Sequence, residues 1–202
     1  MSLFLYLRNF IQDKQVASIA PTSAVAVERI CRGVSWRDAK VVVEYGAGSG
    51  VFTKHILSLL QPDATLIAFE LNSELAAILR SRINDKRCIV INRSAEFAAD
   101  TLRTHGIEAA DIVISGIPFS FFTEWSRERI IKRTHALLRS GGLFVTYQAF
   151  PKPPSKKRPL RKIISKYFSS ISIEYEFRNV PPLEVIVSSK EFETLLQRRI
   201  GR

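Results

Sequence analysis

Glycine recurs at alternate positions in Glu44-Tyr45-Gly46-Ala47-Gly48-Ser49-Gly50, directly after the run Val41-Val42-Val43 and before a segment of helical spacing, Phe52 to Leu60. A strand-to-helix turn of this composition permits backbone angles and close ligand approach that a Cβ would block. The spacing is not the Gly-x-Gly-x-x-Gly of dinucleotide folds, and an acidic residue leads the loop. Glu70 closes the next apolar run, about 20 residues beyond the last glycine, where a carboxylate can accept from ribose hydroxyls. Loop, strand position and Glu70 together imply a site for a nucleoside-type cofactor rather than a structural turn.

A second group lies at Ser115-Gly116-Ile117-Pro118-Phe119, which ends the fourth apolar run. Ligands of open α/β sheets sit beyond the carboxyl ends of the strands, so this segment is expected to face the reacting end of the cofactor and to contact the acceptor. Of Phe119, Phe121 and Phe122, most belong in the core and one or two line the acceptor pocket. A nucleophile that must lose a proton before reacting needs an acceptor group nearby. Tyr6, Tyr45 and Tyr147 are the candidates by expected position, with Ser115 after them. His55, His105 and His135 fall inside or at the ends of helical segments, away from the ligand edge. Cys31 and Cys88 have neither pairing nor metal spacing, so no metal site is expected and a reducing cytoplasm is.

These groups require a frame. Short apolar runs at 41–43, 65–69, 88–91, 111–115 and 143–147 alternate with helical patterns at 52–60, 73–83 and 123–138. Continuous apolar strands separated by amphipathic helices mean a parallel sheet covered on both faces. The runs at 170–177 and 183–188 are joined through Asn179-Val180-Pro181-Pro182, too short for a crossover helix, so this pair should be antiparallel. The expected fold is therefore α/β: a Rossmann-like, doubly wound sheet of seven strands, mostly parallel, with an antiparallel C-terminal hairpin and N-terminal helices. A single domain over 1–202 is expected, with residues 1–35 as a helical cap or membrane-contact segment and 36–202 as the Rossmann-like core.

On these residues the chain resembles the class I S-adenosylmethionine-dependent methyltransferases from about Lys40 to Ser189. The resemblance implies S-adenosylmethionine as cofactor and S-adenosylhomocysteine as product. It implies that Gly46 and Gly48 approach the methionine portion, that Glu70 holds the ribose, and that Ser94 and Ala95 lie by the adenine. Glu44, Gly50, Leu71 and Ser115 complete the expected cofactor-binding set. Many relatives carry Asp where this chain has Ser94.

Two families compete for the acceptor. Ribosomal RNA adenine dimethyltransferases carry Asn-Leu-Pro-Tyr-like residues at the Ser115-Gly116-Ile117-Pro118-Phe119 position and a further helical RNA-binding domain, which is not expected here. Bacterial phospholipid N-methyltransferases, which convert phosphatidylethanolamine stepwise to phosphatidylcholine, are similar in four places: Phe10-Ile11 followed by Ala20-Pro21-Thr22-Ser23, the loop running into Val51-Phe52-Thr53, Ser115-Gly116-Ile117-Pro118, and Asn179-Val180-Pro181-Pro182. The resemblance to these favours a lipid substrate, with an RNA acceptor or a non-catalytic docking protein as alternatives. Gly116, Ile117, Pro118 and Phe119 are the expected substrate contacts.

Charge and apolar patterning bear on the partner. The formal net charge is +11, of which 12 Lys/Arg against 5 Glu after Phe150 contribute +7. Lys152, Lys156, Lys157, Arg158, Arg161 and Lys162 form a run with no acidic residue, read as an exposed loop because Pro151, Pro153, Pro154 and Pro159 punctuate it. Lys152, Lys156, Lys157 and Arg158 are expected to hold a lipid phosphate and an anionic membrane surface, although RNA phosphate would satisfy them equally. The stripe Leu3, Phe4, Leu7, Phe10 and Ile11 suits either a bilayer interface or packing on the core. No run approaches the roughly 20 apolar residues that span a bilayer. The expected location is cytoplasmic, peripheral at the inner face of the membrane.

Overall fold

The structure is a computed structural model that describes residues 24–149 and 159–191. Along the chain run α1 (Ala24–Arg32), β1 (Val41–Tyr45), α2 (Val51–Leu59), β2 (Thr65–Phe69), α3 (Ser73–Arg82), β3 (Cys88–Ile91), α4 (Ala98–Thr104), β4 (Ala110–Ser115), α5 (Glu124–Leu137), β5 (Leu138–Ala149), α6 (Pro159–Ile164), β6 (Ser170–Glu176) and β7 (Leu183–Ser189). The expected N-terminal stripe, Tyr6, and the basic residues Lys152, Lys156, Lys157 and Arg158 lie outside the described residues.

All seven strands join one sheet in the order β3-β2-β1-β4-β5-β7-β6. The first five are mutually parallel, and β7 pairs antiparallel with both β5 and β6. This is the expected Rossmann-like architecture, including the closing hairpin. The chain winds outward from β1 to β3 and then returns to β4, so the switch point lies between β1 and β4. Crevices for ligands open at such points, beyond the carboxyl ends of the strands.

Alternation along each strand divides the core between two faces. Val43, Tyr45, Ile67, Phe69, Val113 and Phe144 meet α4, α5 and α6 on one side. On the other, Val42, Leu66, Ile112, Ile114, Val145 and Val185 meet α1 and α2. Ala47, Ala68 and Leu79 bring α3 onto the sheet beside α2.

Helix starts follow their capping chemistry. The Asn72 side chain accepts from Leu75 N at the start of α3, and Thr123 accepts from Ser126 N at the start of α5. Two elements depart from expectation. β5 begins at Leu138, not Leu143, with an irregularity in its register against β4 between Ala110 and Ile112. Part of the expected basic loop is helix α6, whose Leu160, Ile163 and Ile164 are buried against α5 and the sheet. Pro159 at its first position needs no hydrogen bond from its missing N–H, so the proline starts a helix there instead of extending a loop.

Candidate active site

The glycine turn is built by backbone hydrogen bonds across the switch point. Gly46 N and Ala47 N both donate to Phe69 O at the end of β2, at 2.8 and 3.1 Å. Gly116 N donates to Tyr45 O at 2.9 Å, joining the loop after β4 to the loop after β1. Gly46, Gly48 and Gly50 have φ of 73°, 56° and 92°, in the left-handed region that L side chains rarely adopt. At Gly50 space forbids a side chain as well, since a Cβ would lie 2.6 Å from Leu79 Cδ1 of α3.

Beyond these strand ends lies a cleft of about 200 Å³, open to solvent. One part is lined by Glu70, Leu71, Leu75, Arg93, Ser94 and Ala95, and the other by Gly46, Gly116, Ile117, Pro118, Phe122 and Ile130. Its walls are mostly apolar with a few polar groups, the lining typical of small-molecule sites.

The polar part is centred on Glu70. Its Oε2 accepts from Gly48 N at 2.7 Å and its Oε1 from Asn72 N at 2.8 Å. Asn92 clamps the same segment, with Nδ2 donating to Glu70 O at 2.9 Å and Leu71 O at 3.1 Å. A carboxylate held this way has lone pairs left for the hydroxyls of a bound sugar. Ser94 caps the turn at Ala95–Phe97, its hydroxyl accepting from Glu96 N at 3.3 Å. Glu96 is buried and binds the Arg129 side chain, while Arg133 donates to Glu96 O at 2.6 Å, so α5 fixes this wall.

The other part has a different character. Ser115 is fully buried, and its hydroxyl accepts from Ile117 N at 3.3 Å. Its side chain shapes the turn, and the cleft is lined here by Gly116, Ile117 and Pro118. The wall that remains is backbone plus the side chains of Ile117, Pro118, Phe122 and Ile130. Tyr147 stacks on Phe52 with ring centroids 4.9 Å apart. Its hydroxyl stands over Gly116, so close that a Cβ there would lie 2.6 Å from it.

Several expected site residues sit elsewhere. Tyr45 points into the core, edge-on to Phe69, with its hydroxyl 3.4 Å from Thr134 Oγ1. Burial pushes its hydroxyl up to about 12, against the opposing hydrogen bond from Thr134, and its ring lies in the core below the cleft. Phe119, the expected substrate contact, is a core residue in the same layer, and it is Phe122 that lies on the cleft wall. Glu44 projects to the opposite face of β1, where Thr53 Oγ1 donates to its Oε2 at 2.7 Å. Burial raises its carboxyl to about 7, opposed by the Thr53 hydrogen bond and reinforced by the nearby charge of Glu70. It supports the glycine loop from beneath and does not line the cleft. Gly48 and Gly50 shape the loop without forming its lining.

Sequence reasoning missed Asn92, Leu75 and Ile130, whereas Arg93 lines the cleft in the loop after β3 that was expected beside the adenine. The signal available for Asn92 was its place directly after β3, at the ligand edge. Arg161, read as part of an exposed basic loop, instead donates to Glu184 Oε1 and to the Tyr175 hydroxyl, both at 2.8 Å. Both cysteines are buried at least in part, and burial pushes their thiols up to about 12, which makes them poor nucleophiles. Among the described residues no helix is long and apolar enough to cross a membrane.

The geometry agrees with what comparison with known proteins finds. The family model for a methyltransferase domain matches residues 42–142, which run from β1 through the start of β5. The ornithine lipid N-methyltransferase of Singulisphaera acidiphila is 30% identical over 181 residues, covering 89% of this chain and 91% of that protein. The ribosomal RNA small subunit methyltransferase A of Thermotoga petrophila is 31% identical over 129 residues, which are 60% of this chain and 43% of that protein. Magnesium protoporphyrin IX methyltransferase from Synechocystis, solved with bound S-adenosylmethionine, shares the fold with a TM-score of 0.68 at 10% identity, covering 95% of this chain and 98% of that one. With the glycine turn, Glu70 and the β5-β7-β6 closure in one frame, the chain belongs to the class I S-adenosylmethionine-dependent methyltransferases and stands near the lipid N-methyltransferases among them.

Proposed function

We propose that this enzyme methylates the amine of an aminolipid headgroup at the surface of a membrane. Phosphatidylethanolamine and its methylated intermediates are the acceptor to which the sequence motifs point, and ornithine lipid is the acceptor named for the 30%-identical relative. The observation that carries the reading is the chemistry of the Gly116-Ile117-Pro118 wall. With Ser115 turned inward to Ile117 N, this wall offers apolar side chains and backbone, and no side-chain amide to read a base edge. A small amine carried on an apolar molecule suits such a surface.

In this reading Glu70 holds the ribose, Leu71, Ser94 and Ala95 flank the adenine, and Gly46 lets the methionine portion approach the backbone. S-adenosylmethionine, when bound there, would supply an electrophilic methyl group to a neutral amine and leave as S-adenosylhomocysteine. The chain's own contribution is alignment and exclusion of water. Ile117, Pro118 and Phe122 exclude water, and the Tyr147 hydroxyl above Gly116 orients the amine as a hydrogen-bond acceptor. The amine's proton leaves to solvent through the open side of the cleft.

An RNA acceptor is the second reading, favoured by the 31% identity to a ribosomal RNA methyltransferase over 60% of this chain. Tritiated S-adenosylmethionine distinguishes the two. The enzyme is incubated with vesicles of phosphatidylethanolamine, with vesicles of ornithine lipid, and with ribosomal RNA. Label extracted into the organic phase from either vesicle supports the lipid reading, and the more active vesicle identifies the headgroup. Label in RNA with none in lipid overturns it.

A further inference from the structure

Seven large apolar side chains are exposed among the described residues, and they are not scattered. Val25, Val51, Phe97, Trp125, Phe177 and Val180 all belong to chain segments at the edge of the sheet where the cleft opens, and Ile78 in the middle of α3 is the exception. Val51 and Phe97 follow the carboxyl ends of β1 and β3, and Trp125 opens α5 after β4. Phe177 and Val180 form the turn between β6 and β7, at the same edge, because Leu183 at the start of β7 pairs with Ala149 at the end of β5. Val25 lies in the first turn of α1, which Arg29 ties to Glu176 at that edge, with N and O 3.4 Å apart. Single exposed apolar residues are ordinary, but segregation onto one edge is not.

Three of them are well clear of the body: Trp125 is 65% exposed, Phe177 67% and Val180 79%. Trp125 stands beside the Phe122 and Ile130 wall of the cleft, and the β6–β7 turn stands beyond β5 on the other side. Cations accompany both. The Arg129 guanidinium lies over the Trp125 ring at 4.4 Å and the Arg93 guanidinium over Phe97 at 4.4 Å. Arg178 sits between Phe177 and Val180, and Arg29 is nearby, both sharing the carboxylate of Glu176.

We propose that this edge is a bilayer-contact face, in which Phe177 and Val180 on one side of the cleft and Trp125 on the other insert at the interface of an anionic phospholipid membrane. The inference rests on, and deepens, the aminolipid reading: it states how the cleft mouth meets the layer that holds its acceptor. Amphipathic aromatic rings and aliphatic tips flanked by arginine are the composition that binds headgroup regions, by apolar burial together with attraction to anionic lipid. Nucleic acid fits less well, because Arg93 and Arg129 already lie over the Phe97 and Trp125 rings, and Val25, Val51 and Val180 add apolar surface without a ring on which a base could stack.

The test uses the full chain and sedimenting vesicles of phosphatidylcholine with phosphatidylglycerol, which contain no acceptor amine. Phe177→Ser combined with Val180→Ser, and separately Trp125→Ala, should each lower the vesicle partition coefficient about tenfold. Ile78→Ser, away from the edge, should leave it unchanged. Trp125 emission should shift to the blue on adding vesicles, while the buried Trp36 should not respond. Partitioning of both edge variants equal to the parent chain, or Trp125 emission unmoved while the protein is vesicle-bound, would overturn the proposal. Because these vesicles carry no substrate, failure of the contact face would leave lipid methylation standing. Conversely, loss of the aminolipid reading in the methyl-transfer assay would not alter the partition result.

Discussion

The carboxylate of Glu70 accepts the backbone N–H of Gly48 at 2.7 Å, so the end of β2 and the glycine turn after β1 form one continuous rim. That single bond explains why two sequence features some 20 residues apart act together. Replacing Glu70 with Ala removes the acceptor for Gly48 N and Asn72 N as well as the lone pairs offered to a sugar. The dissociation constant for S-adenosylmethionine, measured by calorimetry, should rise about 10- to 100-fold, with Glu70→Gln between the two. Affinity unchanged in Glu70→Ala would place the cofactor elsewhere.

At Gly116 the close approach of Tyr147 supplies a second test. Gly116→Ala sets a Cβ 2.6 Å from the Tyr147 hydroxyl oxygen and 3.3 Å from Cζ. The overpacking should cost about 1–3 kcal/mol in denaturant unfolding and slow methyl transfer more than it weakens cofactor binding. Removing the hydroxyl with Tyr147→Phe should recover part of the lost stability in the double variant. A strictly additive double mutant would contradict this contact.

Glu44 gives a pH signature. Its folded carboxyl is raised from the ordinary value of 4.5 to about 7, chiefly by burial. A raised carboxyl favours folding while protonated, so this contribution is full below about 4.5 and is lost as pH rises through about 7. Glu44→Gln keeps a side-chain acceptor for Thr53 without the charge. Its stability relative to the parent chain should therefore improve from pH 5 to pH 8, by up to about 3 kcal/mol. Thermal unfolding across that interval checks the sign, and a parallel pH dependence for the two proteins would contradict it.

The buried carboxylate of Glu184 joins three elements. It accepts from Arg161 of α6 at 2.8 Å and from Gln148 of β5 at 3.3 Å, and Arg161 continues to Tyr175 of β6. Glu184→Ala should destabilise the fold by about 3 kcal/mol, the low end for a broken buried pair because Arg161 keeps some access to water. Urea unfolding should show the loss, and a change under about 0.5 kcal/mol, typical of surface sites, would contradict it.

Much of the frame was legible because burial leaves a strong pattern. Val41-Val42-Val43 and Thr65 to Phe69 read as strands covered on both faces, and the short link through Asn179 to Pro182 required antiparallel pairing. Side-chain direction was less accessible. Glu44 and Tyr45 are adjacent, so alternation sends them to opposite faces, and neither enters a cleft that lies beyond the strand end. The turn after Pro118 likewise turns Phe119 into the core and leaves Phe122 on the wall. Arg161 lay in a run of like charge, and only the pairing of β7 with β5 and β6 brings Glu184 and Tyr175 beside it. Asn92 acts through its amide on carbonyls of another strand, a relation that local sequence does not encode.

The most direct test of the central claim follows the methyl group itself. S-adenosylmethionine carrying a deuterated methyl is supplied to the full chain with mixed vesicles of phosphatidylethanolamine and ornithine lipid, in the presence of ribosomal RNA, and all products are resolved by mass spectrometry. Deuterated methyl on a headgroup nitrogen is the expected result. Deuterium confined to RNA bases would contradict the assignment.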